Sequence, residues 1–281
     1  MTTSAPDLTV VADDRAESNI ALWNQFMSKE KISRKISPLI SLDAPIQPDK
    51  VRFVCISDTH EVLEKLLPKI PMGDVLLHSG DFTNFGSRKA IRAFNEQIGS
   101  LPHPHKIVIA GNHEMGFDSP TRFCNGTYQG YKLLTNCTYL ENSFTEVYGI
   151  RIYGTPHHFL NHWAYYCQPG KEILQKWLNI PTYISDTPID VLMTHTPPLG
   201  HLDWVDNEWH TGNVGCPELL NCVEKRIKPK FHVFGHIHEN NGLSTNGETI
   251  FINASICDDA LNVVDSPIVF DIDLPEGMTK N

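Results

Sequence analysis

Five times in this 281-residue chain an apolar run ends at a small or hydroxyl residue and is followed at once by a carboxylate, an amide or an imidazole. Residues 51–56 run into Ser57-Asp58-Thr59-His60, residues 76–78 into Ser79-Gly80-Asp81, and residues 106–110 into Gly111-Asn112-His113-Glu114. Further on, residues 190–194 deliver His195, and residues 231–234 deliver Gly235-His236-Ile237-His238. Short apolar runs bounded by Gly and Ser read as buried strands, and α/β sheets bind their ligands at the carboxyl ends of such strands. The chain is therefore expected to bring several strand ends to one edge. Carboxylates, imidazoles and one amide, gathered there, form a donor set suited to a divalent metal. Singly, Asp58 or Asp81 reads as a cap or turn residue and His195 as a hydrogen-bonded core histidine; the weight lies in the set.

Between these ends the chain alternates. Residues 51–56, 74–78 and 106–110 read as strands, separated by a short helix near 61–67 and a longer one over 88–98. The longer helix has Ser87 as its N-cap and Ile91, Phe94 and Ile98 on one face. The βαβαβ order predicts parallel strands with right-handed crossovers. After Glu114 the texture changes: 138–140, 145–148 and 151–153 are short, turn-separated β segments, which predict an antiparallel stretch or a second sheet. There follow a helix over 172–178, a strand over 189–194, and a loop rich in Pro, Gly, His and Trp over 197–215. A helix over 217–226 precedes the strand that ends at His236. Segments 243–245 and 249–253 read as a hairpin in which Asn246-Gly247 predicts a type I′ turn, and 268–272 is the last strand. Residues 1–50 read as a lead-in that packs on the core, with Ile20, Trp23 and Met27 at helical spacing before Pro38, Pro45 and Pro48. No repeat or linker divides residues 51–281, which read as one domain.

With 33 Asp and Glu against 23 Lys and Arg, the net charge is -10. That argues against binding an extended nucleic acid. Seven cysteines, at 55, 124, 137, 167, 216, 222 and 257, include no CxxC pair, which speaks against a disulfide framework or a thiolate zinc site and for a reducing compartment. The first residues do not read as a signal peptide and no run approaches 18 apolar residues, so the expectation is a cytoplasmic protein with no membrane partner. Glycosylation patterns at Asn125, Asn136 and Asn253 then carry no weight.

In order and in rough spacing, Asp58-x-His60, Gly80-Asp81, Gly111-Asn112-His113-Glu114, His195 and Gly235-His236-x-His238 resemble the motifs of the calcineurin-like metallophosphoesterases, over residues 51–240. The resemblance implies a four-layer α/β/β/α sandwich of two mixed sheets flanked by helices. It implies two divalent metal ions, manganese first and iron, zinc, cobalt or magnesium as other occupants. Asp58, His60 and His238 would hold one ion, Asn112, His195 and His236 the other, and Asp81 would bridge them. A hydroxide shared by the ions would attack phosphorus in line, and His113 would contact the phosphate and protonate the leaving oxygen. Four added positive charges would offset the acidic balance where an anionic substrate binds. Strand alternation agrees, placing Asp58 with His60 and His236 with His238 on common sides. Glu114 reads as a supporting partner rather than a ligand, and His232 as a strand residue. His78 reads equally as an orienting partner of Asp81 or as packing.

Two departures narrow the branch. Asn84-Phe85 stand where the family's protein phosphatases carry aspartate and arginine, so the carboxylate that would pair with His113 is missing. A tyrosine at 84, the mark of purple acid phosphatases, is absent too. Gly154-Thr155-Pro156, the stretch 194–200, Val233-Phe234-Gly235 and the stretch 251–255 resemble the small metallophosphoesterase-domain-containing branch found in animal brain. Some of its members have glycine in place of the first histidine of the G-H-x-H motif and lose most activity; this chain keeps His236. That likeness implies a phosphodiesterase of small phosphodiesters, with cyclic nucleotides foremost as substrate. The rival readings are a nucleotide-binding or scaffold protein with vestigial activity, and a nuclease, which the acidic balance opposes. Trp163, Tyr165, Trp204 and Trp209 lie in loops that would border the metals, and read either as base-stacking surfaces or as hydrophobic plugs.

Overall fold

The computed structural model describes residues 10–120, 126–208 and 210–280. The amino-terminal stretch, Cys124, the pattern at Asn125 and Trp209, all read above, lie outside the described residues. Two sheets organise the rest. The first has five strands in the order Ile268–Asp273, Lys50–Ile56, Val75–His78, His105–Val108 and Thr138–Tyr139. Lys50–Ile56, Val75–His78 and His105–Val108 run parallel, as the βαβαβ order predicts, and Ile268–Asp273 adds an antiparallel edge. The second sheet has seven strands: Arg34–Ile36, Gly242–Thr245, Ile250–Asn253, Phe231–Phe234, Val191–Thr194, Ile150–Thr155 and Ser143–Val147. Its middle four are parallel.

Alternation along the strands builds the layers. Val51, Phe53 and Cys55 face Ile152, Val191, Met193, Val233 and Ile252 of the second sheet, forming a sheet-on-sheet core. Val54 and Ile56, with Leu76 and Val108, face the other way and pack under Leu63, Leu66 and the helix Arg88–Ser100. That helix starts where Ser87 Oγ accepts the Ala90 N–H at 3.2 Å, and it buries Ile91, Phe94 and Ile98 as the pattern predicts. On the far side, Leu192, Phe234 and Phe251 pack under the helices Lys171–Leu178 and Pro217–Cys222. Trp177 is fully buried there; truncating such a side chain costs about 3–5 kcal/mol. The fold is the mixed α/β/β/α sandwich that the resemblance implies. Strands covered on both faces read as continuous apolar runs, which is why the runs and their endings are so plain in the sequence.

Two details differ from the sequence reading. Thr138–Tyr139 does not join an antiparallel stretch; it extends the first sheet, parallel to His105–Val108, and Leu140 N–H continues the ladder to Val108 O at 2.9 Å. Only Ser143–Val147 and Ile150–Thr155 pair antiparallel there. The 242–253 hairpin forms, but through four loop residues, with Thr245 opposite Ile250. Only Gly247 has positive φ, at 98°, whereas a type I′ turn needs both central residues there. Asn246 Oδ1 instead accepts the N–H groups of Glu248 (3.0 Å) and Thr249 (2.8 Å), a side-chain substitute for a turn.

The lead-in is packed onto the loop that follows His195. Ser18 caps a helix, Asn19–Leu22, which runs on through a π-helical turn, Trp23–Met27, to Glu30. Leu22 and Met27 are buried with Leu199 and Leu220. The Trp23 ring lies against Gly200, where φ is +86° and a Cβ would collide with it. Asn19 Nδ2 donates to Gly215 O at 2.8 Å. Arg34–Ile36 then adds an antiparallel edge strand to the second sheet. Among the described residues no helix is long and apolar enough to cross a membrane.

Candidate metal centre

The loops that leave the strand ends are stitched to one another. Asp58 N–H donates to Gly80 O, His60 N–H to Asp81 O and Gly235 N–H to His195 O, at 3.0, 3.0 and 3.1 Å. Asp58, His60, Asp81 and His236 have left-handed backbone, with φ of 54°, 37°, 54° and 72°. Such conformations cost about 1–3 kcal/mol each and persist where surrounding contacts over-determine them. Two glycines give the carboxylates room: a Cβ on Gly235 would strike Asp58, and one on Gly111 would strike Asp81.

All the predicted ligand residues meet at this edge. His60 Nε2 and His238 Nε2 are 3.3 Å apart, and His238 Nε2 is 3.5 Å from Asp58 Oδ1. On the other side His195 Nε2 is 2.9 Å from Asn112 Oδ1 and 3.2 Å from Asp81 Oδ2, with the His236 ring centroid 5.0 Å from that of His195. Asp58, His60 and His238 form one ligand-competent group and Asp81, His195 and His236 another, their donor atoms within 4.8 Å of one another. His113 makes a third group with His60 and Asp81. Donors about 2.1 Å from one cation, at roughly 90–110° to each other, stand about 3.0–3.4 Å apart. Most of the measured separations lie in or close to that range, and the donor set fits a divalent ion.

The imidazoles are aimed by their outer nitrogens. Nδ1 of His195 bonds Ser79 O at 2.8 Å, that of His238 bonds Asp258 O at 3.2 Å, and that of His113 bonds Asn84 O at 2.6 Å. Each contact turns Nε2 toward the centre, the usual way an outer hydrogen bond fixes a ligating tautomer. Asn84 therefore matters through its main chain: the carbonyl, which any residue has, holds His113 where the protein phosphatases would use a carboxylate. His60 Nδ1 is buried without a hydrogen-bond partner.

Charge follows the same arrangement. Burial opposes ionisation of Asp58 and Asp81, but His238 beside the first and His195 and His113 beside the second outweigh it and hold both well below the usual carboxylate range. Conversely, burial works against protonation of His195 and His238, and the two carboxylates overcome it, pushing both up to about 9. His236 goes the other way, to about 3, because burial dominates. A cation held by these groups competes with the protons on His195 and His238, so binding releases protons.

Around the centre stand supporting residues, some of them as read from the sequence and some not. Glu114, wholly buried, accepts N–H groups from Asp81 (2.9 Å), Gly111 (2.6 Å) and Thr83 (2.9 Å) and the Thr83 hydroxyl (3.0 Å), tying two ligand loops together. His78 does not touch the Asp81 carboxylate. Burial pushes it down to about 3, and the neutral ring accepts Gly80 N–H at Nδ1 (3.3 Å) while Nε2 donates to Thr59 Oγ1 (2.9 Å). The group that orients Asp81 is the His113 N–H, 2.8 Å from Oδ1. His232 is a strand residue as read, bonded to Thr194 Oγ1 at 2.9 Å. Ser255 Oγ donates to Asp58 Oδ2 at 2.9 Å, and Asp203 closes the loop after His195 by accepting N–H groups from Gly200 (2.9 Å) and Gly215 (2.8 Å). Tyr165 is a plug: it is buried, and its hydroxyl bonds Tyr139 and Glu141. Trp204 stands exposed on a small hairpin, while Trp163 lies against the His113 ring, centroids 4.2 Å apart.

The comparisons with known proteins point the same way. The family model for calcineurin-like phosphoesterase matches residues 51–240. A UPF0046 protein of Caenorhabditis elegans is 50% identical over 286 residues, covering 98% of this chain and 99% of its own. The human metallophosphoesterase domain-containing protein 1 is 43% identical over 253 residues, covering 84% of this chain and 75% of its own. The aligned span of the family holds every residue of the centre, from Asp58 to His238, and the chain belongs to the calcineurin-like phosphoesterase family.

Proposed function

We propose that the protein is a two-metal phosphodiesterase acting on small diesters, cyclic nucleotides among them. The observation that supports this most is the state of Asp81. Its Oδ1 takes the His113 N–H, while Oδ2 faces Nε2 of His195 at 3.2 Å and of His60 and His113 at 3.9 Å. A buried carboxylate oxygen that looks toward imidazoles from two sides suits a ligand shared by two cations. In this reading Asp58, His60 and His238 hold one ion, Asn112, His195 and His236 hold the second, and Asp81 belongs to both. With nitrogen and oxygen donors and no thiolate in the set, manganese, iron, zinc, cobalt or magnesium are the candidate ions. When bound, such a pair polarises a phosphoryl oxygen and lowers the pKa of water.

The chain's own residues do the rest. Glu114 and the stitched main chains keep the two ligand sets in register, and Asn84 O keeps Nε2 of His113 facing Asp81. Protonated at both nitrogens, His113 gives the Nε2 proton to the departing ester oxygen. A cytoplasmic, reducing setting accords with the six described cysteines, all free.

The test is turnover of a diester panel with and without Mn²⁺, for the unaltered protein and His113→Ala. Loss of the general acid is expected to slow a cyclic nucleotide by about 10²–10⁴-fold and a nitrophenyl diester far less, because nitrophenolate leaves unaided. Equal losses on both would assign His113 to phosphate binding. Bound metal without turnover of any diester would favour a nucleotide-binding protein.

A further inference from the structure

Beside His113 two aromatic rings are mounted at the lip of the centre. Phe85 is 53% exposed. Its ring is within 13° of parallel to that of Trp163, centroids 6.2 Å apart, and Trp163 in turn lies 4.2 Å from His113. One exposed phenyl needs no explanation. Here, however, both rings sit on backbone tied to the candidate catalytic residues. Around Phe85, Asn84 N–H donates to Glu61 (3.0 Å), Gly86 N–H to Thr83 Oγ1 (2.9 Å) and Thr127 N–H to Gly86 O (2.8 Å), while Asn84 O holds His113. After Trp163, Ala164 N–H donates to Asn112 O at 3.2 Å and Ala164 O is bonded by His158 Nε2. The rings are thus one residue away from groups that fix His113 and Asn112. A contact surface held that firmly loses little conformational entropy when it binds.

We propose that Phe85 and Trp163 form a stacking shelf for a flat heteroaromatic group, such as a nucleobase, carried by the ester alcohol on the His113 side of the substrate. This rests on the function proposed above in one respect, the departing ester oxygen lying at His113 Nε2. An ester oxygen directed at His113 Nε2 sends its alcohol outward past the ring next to His113, which is Trp163, and then past Phe85. Among the described residues, Trp163 and Phe85 are the aromatic side chains whose rings lie beside the His113 ring, 4.2 and 6.1 Å between centroids, while Tyr165 is spoken for by its buried hydroxyl network.

The experiment uses the full chain loaded with Mn²⁺ and two monoesters that differ in the alcohol, adenosine 5′-monophosphate and methyl phosphate, with dissociation constants measured by calorimetry. The unaltered protein is expected to bind the nucleotide at least about tenfold more tightly than methyl phosphate. Phe85→Ala should cut that ratio by about tenfold, the usual size of one base–aromatic stack, and Phe85→Tyr should restore it. Because Phe85 is exposed, these variants test the shelf without unfolding the core. A ratio near one in the unaltered protein, or equal weakening of both ligands in Phe85→Ala, overturns the shelf and leaves the phosphate site standing. Failure of the unaltered protein to bind methyl phosphate overturns the phosphate site, and the shelf with it.

Discussion

Asp81 and Asp203 are both buried carboxylates on loops that leave a sheet, and they are finished in opposite ways. Asp203 is saturated: Oδ2 takes the N–H groups of Gly200 and Gly215, and Oδ1 takes Asn213 Nδ2 at 2.5 Å. Asp81 has one oxygen satisfied and the other turned toward three imidazoles. Burial therefore does not separate the two; the donors do. A carboxylate closed by neutral N–H groups holds a loop, whereas one left open toward other ligand atoms is available to a cation. Glu114, with three N–H groups and a hydroxyl, falls on the Asp203 side although it lies within the centre.

The sharpest way to break that contrast is Asp203→Ala, which leaves three donors, two of them buried, without an acceptor. A loss of about 3 kcal/mol in urea denaturation is expected, with Mn²⁺ affinity unchanged within a factor of about three; a comparable loss of metal affinity would erase the distinction. The pH dependence tests the same residue. Burial raises the Asp203 carboxyl from 3.8 to about 6, against the pull of its donors. A raised acid is held more tightly by the folded state, so its contribution is complete below the unfolded pKa and is lost as pH rises through about 6. The stability of the unaltered protein relative to Asp203→Asn should thus fall by up to about 3 kcal/mol between pH 4 and 7, and a flat difference would contradict it.

Glu114→Gln puts an amide where an acceptor closes four donors, and should weaken metal binding by about 10–100-fold, the range for groups that orient ligands. Metal titration checks it, and an unchanged affinity would mean the ligand loops do not need the clamp. The smallest effect concerns Asn84. Since its carbonyl, not its side chain, holds His113, Asn84→Ala should change turnover of a small diester by less than about threefold, whereas a larger drop would put the amide itself in the site.

What could be read from the sequence, and what could not, follows the same line between side chains and main chains. The strands were legible because both faces of each sheet are covered, leaving continuous apolar runs with abrupt ends, and the residues that meet at the candidate centre were legible because they stand at those ends. Glu114 was legible as a supporting partner, but the roles of Asp203 and Asn84 run through main-chain N–H or C=O groups, and such partners leave no mark in residue type. Arg34–Ile36 and Thr138–Tyr139 are edge strands whose pairing depends on what lies opposite, not on an apolar pattern of their own. The turn at Asn246 shows the reverse error, where a familiar dipeptide was overruled by a side chain that closed a longer loop.

The most direct measurement is the metal content of the unaltered protein and of Asp81→Ala, by elemental analysis after saturation with Mn²⁺ and gel filtration, with Asp58→Ala alongside. A carboxylate shared by two ions predicts two per chain in the unaltered protein, about one in Asp58→Ala, and none retained in Asp81→Ala while its circular dichroism stays native. Two ions per chain in folded Asp81→Ala would contradict the account.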